Sequence, residues 1–163
     1  MSKEENQMVE NDYVTPFAIS ITESLESLKL PMVYFTCRGR ELAFIFDTGS
    51  DGSHINKSVV EELNLDTFNI APAEGKVSVV STGNGLMEAS NEWCKIKLSL
   101  EDYDFGVECS VENLDPVFNF IKENDGVQLH GILGTIFLRA NNWTIDFANK
   151  VAYPDFMVNK KES

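Results

Sequence analysis

The sequence predicts a mostly β domain, a sandwich or small barrel, on three observations. Its β-prone runs are short and numerous, turn-forming residues separate them, and helical spacings are few and brief. At 163 residues the chain has room for one ordinary core. Pro31 to Cys37 and Glu41 to Phe46 are rich in Val, Tyr, Phe and Ile and flank Arg38-Gly39-Arg40, which is turn chemistry, so they read as a hairpin ending at Asp47. Ile55 to Leu65 carries apolar residues at 55, 59, 60 and 63, a helical spacing, with Asn56 as N-cap. Lys76 to Ser81 and Leu86 to Ser90 flank Thr82-Gly83-Asn84-Gly85, whose Asn-Gly suits a type I′ turn. Trp93 to Leu100 and Tyr103 to Val111 make a further pair of strands around Glu101-Asp102, and Pro116 to Glu123 starts at proline as a short helix does. Val127 to Leu133 is apolar enough for a buried strand ended by Gly134, Thr135 to Arg139 fits one helical turn or two, and Trp143 to Phe147 with Val151 to Tyr153 makes a last hairpin.

Composition bounds the function. Thirteen basic against twenty-six acidic residues give a formal charge of −13, which repels phosphate backbones and anionic lipid, so neither nucleic acid nor a membrane is expected as a partner. With 43% hydrophobic residues and no apolar run near spanning length, the chain reads as globular. Residues 1–12 read as a disordered tail and 159–163 as a frayed end, leaving 13–158 as the folded domain. The polar, acidic stretch from Met1 to Asn11 has no signal-peptide core, which places the chain in the cytoplasm. Cys37, Cys94 and Cys109 are widely spaced and lack C-x-x-C, as buried reduced thiols do, and with two histidines they make no obvious metal set.

The informative segment is Phe44-Ile45-Phe46-Asp47-Thr48-Gly49-Ser50, where a carboxylate closes an apolar strand. A charge at the end of a core strand is costly unless hydrogen-bonded, paired or working. On these residues alone two readings stand: an Asx-turn that Gly49 permits, and a catalytic carboxylate. A Ser/His/Asp site drawn from Ser50, Ser53, His54 and His130 lacks a G-x-S-x-G elbow.

The segment resembles the active-site signature of the aspartic peptidases, hydrophobic-hydrophobic-Asp-Thr-Gly-Ser or -Ala. A second family element, the hydrophobic-hydrophobic-Gly strand beside the Asp loop, is matched by Ile132-Leu133-Gly134, followed by Phe137-Leu138 and Thr144-Ile145-Asp146-Phe147. The resemblance covers Leu30 to Tyr153 and is nearest the single-lobe, retropepsin-like branch. It implies a small closed β-barrel of the retropepsin-like acid-protease type with one or two short helices, acting on peptide bonds in extended polypeptide without metal or organic cofactor.

The resemblance also assigns roles. Asp47 becomes the catalytic carboxylate, and because Asp66-Thr67 is followed by Phe68, the chain holds a single Asp-Thr-Gly. The second carboxylate of the pair is then expected from a second chain, as a homodimer. Thr48 is implied to reach across the dimer axis, Gly49 to let backbone approach the water, Ser50 to tune the carboxylate, and Thr82, Gly83, Asn84 and Gly85 to form a flap over the substrate. Ile132, Leu133 and Gly134 support the Asp loop. Asp51, His54 and Ile136 depart from the family pattern and leave substrate preference open, and Asn113 to Asp125 has no assigned role. The rival reading is a non-catalytic peptide-binding or scaffold domain that keeps the fold.

Overall fold

The computed structural model describes residues 17–71, 79–82, 85–88 and 90–155. The expected tails at 1–12 and 159–163, and the turn residues Gly83 and Asn84, lie outside the described residues. In chain order the elements are β1 (Ile19–Ser20), α1 (Thr22–Ser27), β2 (Met32–Cys37), β3 (Arg40–Phe46), β4 (Ser53–Asn56), α2 (Lys57–Glu62), β5 (Thr67–Asn69), β6 (Val79–Thr82), β7 (Gly85–Glu88), β8 (Glu92–Leu100), β9 (Tyr103–Glu112), α3 (Asp115–Asp125), β10 (Gly131–Leu133), α4 (Thr135–Ala140), β11 (Trp143–Asp146) and β12 (Val151–Pro154).

The main sheet runs β2-β3-β10-β4-β9-β8-β5, and a further pairing of β2 with β8 at Thr36 and Ser99 closes six of these strands into a barrel, with β5 left outside on β8. The mostly β, closed-barrel expectation is therefore met. Closure removes free strand edges. Tight hairpins set the registers. Between β2 and β3 a two-residue turn at Arg38 and Gly39 has φ of 49° and 77°, the paired positive values of a type I′ turn, whose twist matches the strands it joins. Glu101 and Asp102 turn β8 into β9 in the same two-residue span, with Leu100 opposite Tyr103.

β3 explains how the core is divided. Its residues Leu42 to Phe46 are all buried, so both faces are covered. Leu42, Phe44 and Phe46 point into the barrel among Phe35, Phe105, Phe137 and neighbours, while Ala43 and Ile45 lie in a second cluster with Met32, Leu114, Phe118 and Leu129. Edge-to-face rings fill the barrel: Phe35 meets Phe44 and Phe105 at 6.0 Å, and Phe46 meets Trp143 at 4.9 Å. The stretch that had no role thus acquires one, since α3 covers the outer face of β3.

Three expectations need correction. The helix read from Ile55 to Leu65 is a strand to Asn56 and a helix only from Lys57 to Glu62, because Ile55 is fully buried between Gly131 and Val111 of the flanking strands. Asn56 sits at the N-cap position but makes no cap bond; its buried amide donates to Asp115 at 2.8 Å and its oxygen accepts from the Leu114 N–H at 3.0 Å, pinning the start of α3. The strand read from Val127 to Leu133 begins only at Gly131, although His130 still bonds Ala43 through backbone and ring. The short elements β1, α1 and β5 were not anticipated. β1 joins the closing hairpin in a separate sheet, β1-β12-β11.

All three cysteines are buried and unbonded, with Cys94 opposite Cys109, and burial pushes the Cys94 thiol up to about 11. Replacing Asn56 by Ala strands the buried Leu114 N–H and is expected to cost about 2 kcal/mol, read as a lower urea midpoint at unchanged m-value; an unshifted midpoint removes Asn56 as the α3 anchor.

Candidate active site

Asp47 leaves β3 at the point where β10 runs parallel to it, with Leu133 opposite Phe46, and its own N–H donates to the Leu133 carbonyl at 3.0 Å. The strand pairing carries the chain to the mouth of the barrel and releases it there. The side chain is half-buried, Thr48 and Gly49 are exposed, and Ser50 is half-buried. The Gly49 N–H donates to Asp47 Oδ1 at 2.9 Å and the Ser50 N–H to the Asp47 carbonyl at 3.2 Å. This is an Asx-turn, so the two readings left open by the sequence are compatible: one carboxylate oxygen holds the loop and Oδ2 is left for other work.

Gly134 fixes the loop from the other side. A Cβ there would lie 2.7 Å from the Ser50 and Asp51 carbonyls and closer still to that of Gly52, all of them backbone atoms that cannot swing away. Only glycine fits. Beyond it, the first N–H groups of α4 donate back to the loop, Thr135 to the Ser50 carbonyl at 2.8 Å and Ile136 to that of Asp51 at 3.1 Å, and the buried Ser53 hydroxyl accepts the Gly134 N–H at 3.1 Å. Ile132 and Leu133 are therefore the strand, and Gly134 the contact, that hold the Asp47 loop.

The remaining sequence candidates are placed less fully. Thr82 pairs with Gly85 at the end of the β6–β7 hairpin, which forms its own two-stranded sheet, and Gly83 and Asn84 fall outside the described residues. At the root of that hairpin the Ser90 N–H donates to both oxygens of the buried Glu112, at 3.0 and 3.2 Å. The Ser50 hydroxyl donates to the Gly52 carbonyl at 2.8 Å and lies 3.3 Å from His54 Nε2, while His54 Nδ1 is 2.6 Å from the Ser110 hydroxyl. Ser110 and Glu112 escaped the sequence reading because they alternate with the core residues of β9, the pattern of a solvent face, yet both are buried under neighbouring chain. The sequence offers His54 as a departure from the family pattern and as a member of a Ser/His/Asp set, and neither reading places it against Ser110. Among the described residues no group of three or more His, Cys, Asp or Glu side chains is placed to hold a metal ion.

A groove of about 660 Å³ opens beside the loop, lined by Thr48, Leu138, Arg139, Trp143, Ile145 and Phe147 among others. Phe147, which lines the groove, and Ile136 of α4 are exposed by 61% and 69%, as is Phe120 of α3 by 64%.

Residues 33–137 match the family model described as aspartyl protease. The chain belongs to the aspartyl protease family. As an aspartyl protease family member it aligns with solved structures at low identity. These include the EIAV protease complexed with an inhibitor (14% identity, 68% of this chain and 86% of that one, TM-score 0.42) and a retropepsin-like aspartic protease from Rickettsia conorii (11%, 86% and 89%, 0.48). A third is the retroviral protease-like domain of Ddi1 from Leishmania major (15%, 80% and 97%, 0.47). No curated protein matches this aspartyl protease chain in sequence.

His130 gives the family member an acid-side weakness. His130 Nδ1 accepts the Ala43 N–H at 2.9 Å, a bond the imidazolium cannot make, and burial together with Arg40 pushes its pKa below the ordinary value against the pull of Glu62. In the unfolded chain His130, titrating at about 6.5, binds the proton first. This contribution to stability is therefore complete above that pH and is lost as pH falls through the lower folded value. Unfolding free energy is expected to decline from neutral toward mildly acidic pH, and His130→Gln to flatten that decline; a variant with the wild-type slope would assign the decline to other groups.

Proposed function

We propose that the protein is an aspartic endopeptidase that hydrolyses peptide bonds in extended polypeptides, using a water activated by two Asp47 carboxylates, one from each subunit of a homodimer. The observation that carries this is the Asp47 loop, held by Gly134 and the start of α4 with one carboxylate oxygen unspent, in a chain of the aspartyl protease family that has a single Asp-Thr-Gly.

The chemistry requires the second copy. One carboxylate takes a proton from the attacking water while the other, protonated, donates to the substrate carbonyl, and two like charges roughly 3 Å apart share one proton rather than both ionising. The exposed Thr48 is the loop residue available to a symmetry-related loop, and the apolar groove around Trp143, Ile145 and Phe147 beside it is the surface a second subunit would cover. In this reading the β6–β7 hairpin with Thr82, Gly83, Asn84 and Gly85 at its tip closes over the peptide and bonds its backbone. No cofactor takes part. Three buried unbonded thiols favour a reducing compartment, and the cytoplasm is the proposed location. No helix among the described residues is long and apolar enough to cross a membrane.

Mixing is the sharpest test. Asp47→Asn is expected to lower peptide cleavage by roughly 10³-fold or more, read by mass spectrometry on a peptide library at acidic to neutral pH. An equal mixture of wild type and Asp47→Asn, allowed to exchange subunits, should retain about a quarter of the activity of the same total of wild type, against about a half for a chain that works alone. Absence of cleavage from a confirmed dimer would leave a peptide-binding domain as the better reading. Phe147→Asp is expected to leave a folded monomer by sedimentation, with cleavage lost in proportion; an intact dimer would move the interface elsewhere.

A further inference from the structure

The Asp47 loop is tied to the barrel wall by a chain of polar side chains that peptide hydrolysis does not require. Ser50 has one hydroxyl proton, and at 2.8 Å the Gly52 carbonyl, which can only accept, takes it. The contact of 3.3 Å between Ser50 Oγ and His54 is then a bond donated by Nε2–H. A neutral imidazole with its proton on Nε2 is an acceptor at Nδ1, and the Ser110 hydroxyl donates there at 2.6 Å. Every proton in the chain has one consistent place. Ser110 is 2% exposed, and His54 sits on β4 between β9 and β10, opposite Ser110 on one side and Ile132 on the other, so the ring has little freedom to turn.

We propose that His54 is a positioning residue for the catalytic loop: anchored by Ser110, it holds the Ser50 hydroxyl toward Gly52 and away from Asp47, and its protonation reverses the bond to that anchor. This rests on the peptidase reading for its catalytic meaning, but the coupling of His54 to the loop does not. Protonation turns Nδ1 into a donor, so the Ser110 hydroxyl must rotate, and it places a positive charge close to the loop.

The charged groups on the elements packed around β4 are Asp47 and Asp51 on the loop, Asp104, Glu108 and Glu112 on β9, Lys57, Glu61 and Glu62 on α2, Arg139 on α4 and His130 before β10, and of these Glu112 and Asp47 are the ones that act on His54. Burial disfavours the imidazolium, while Glu112 and then Asp47 favour it. Glu112 also grips the root of the β6–β7 hairpin through Ser90, so the same carboxylate bears on the hairpin and on His54.

The test has one arm that needs no activity. In the wild-type chain, ¹⁵N-imidazole NMR is expected to show His54 as the Nε2–H tautomer, with a pKa that falls in Asp47→Asn when the neighbouring charge is removed. The Nδ1–H tautomer, or a titration unchanged by Asp47→Asn, overturns the proposal. The second arm is the pH–rate profile. His54→Gln, which still donates to Ser50 but does not titrate, is expected to lower kcat about tenfold at nearly constant KM and to erase one inflection on the acidic side. Ser110→Ala, which keeps the ring and loses its anchor, should lower kcat in the same sense and guards against a His54→Gln chain that fails to fold. A folded Ser110→Ala or His54→Gln enzyme with the wild-type kcat and profile overturns the positioning role. Wild type that shows the expected tautomer and coupling but cleaves nothing would overturn the peptidase reading and leave the coupling standing.

Discussion

The approach of Gly134 to the carbonyls of Ser50, Asp51 and Gly52 is the constraint on which the site depends. It lets the turn after β10 lie against the turn after β3, and the first N–H groups of α4 then reach the Ser50 and Asp51 carbonyls. A side chain at this one position would push the two turns apart, break the bonds from Thr135 and Ile136, and release the loop that carries Asp47. Small size, more than unusual backbone geometry, is what the position demands, since its φ of −93° is open to any residue.

The same contact fixes the barrel. β10 lies between β3 and β4, parallel to one and antiparallel to the other, and it is only three residues long. So short a strand has little pairing energy of its own. It is held by the loop contacts above it and by His130 below it, which bonds Ala43 through both backbone and ring. The cluster of Met32, Ala43, Ile45, Phe118 and Leu129 closes the outer side, so the carboxylate stands at the edge of a structure packed on both faces of its strand.

What the sequence made legible was local. The hairpins at Arg38-Gly39 and Glu101-Asp102 could be read because turn chemistry and alternating strands lie within a few residues of each other. The Asp47 segment and Ile132-Leu133-Gly134 could be read because each is a compact motif. Ile55 was misread because 55, 59 and 60 share a helical spacing, and only burial between strands near residues 111 and 131 makes it extended. Asn56 failed as a cap for a related reason, its partners being Leu114 and Asp115, far along the chain. β1 and β5, two and three residues long, are below the length at which periodicity has meaning. His54 and Ser110 are 56 residues apart, and nothing local says that they meet.

The placement of β10 also has a consequence for how the molecule is made. Ala43 and His130 are 87 residues apart, and every strand bond that seats β10 against β3 spans a comparable distance. Such pairings carry a large loop-closure cost and form late in folding. On the ribosome, β2, β3 and β4 are made long before residues 131–136, which pair with β3 and β4 in the folded chain. The loop bearing Asp47 is hydrogen-bonded to Leu133, Thr135 and Ile136, so a nascent chain that stops short of them carries the acid without those partners.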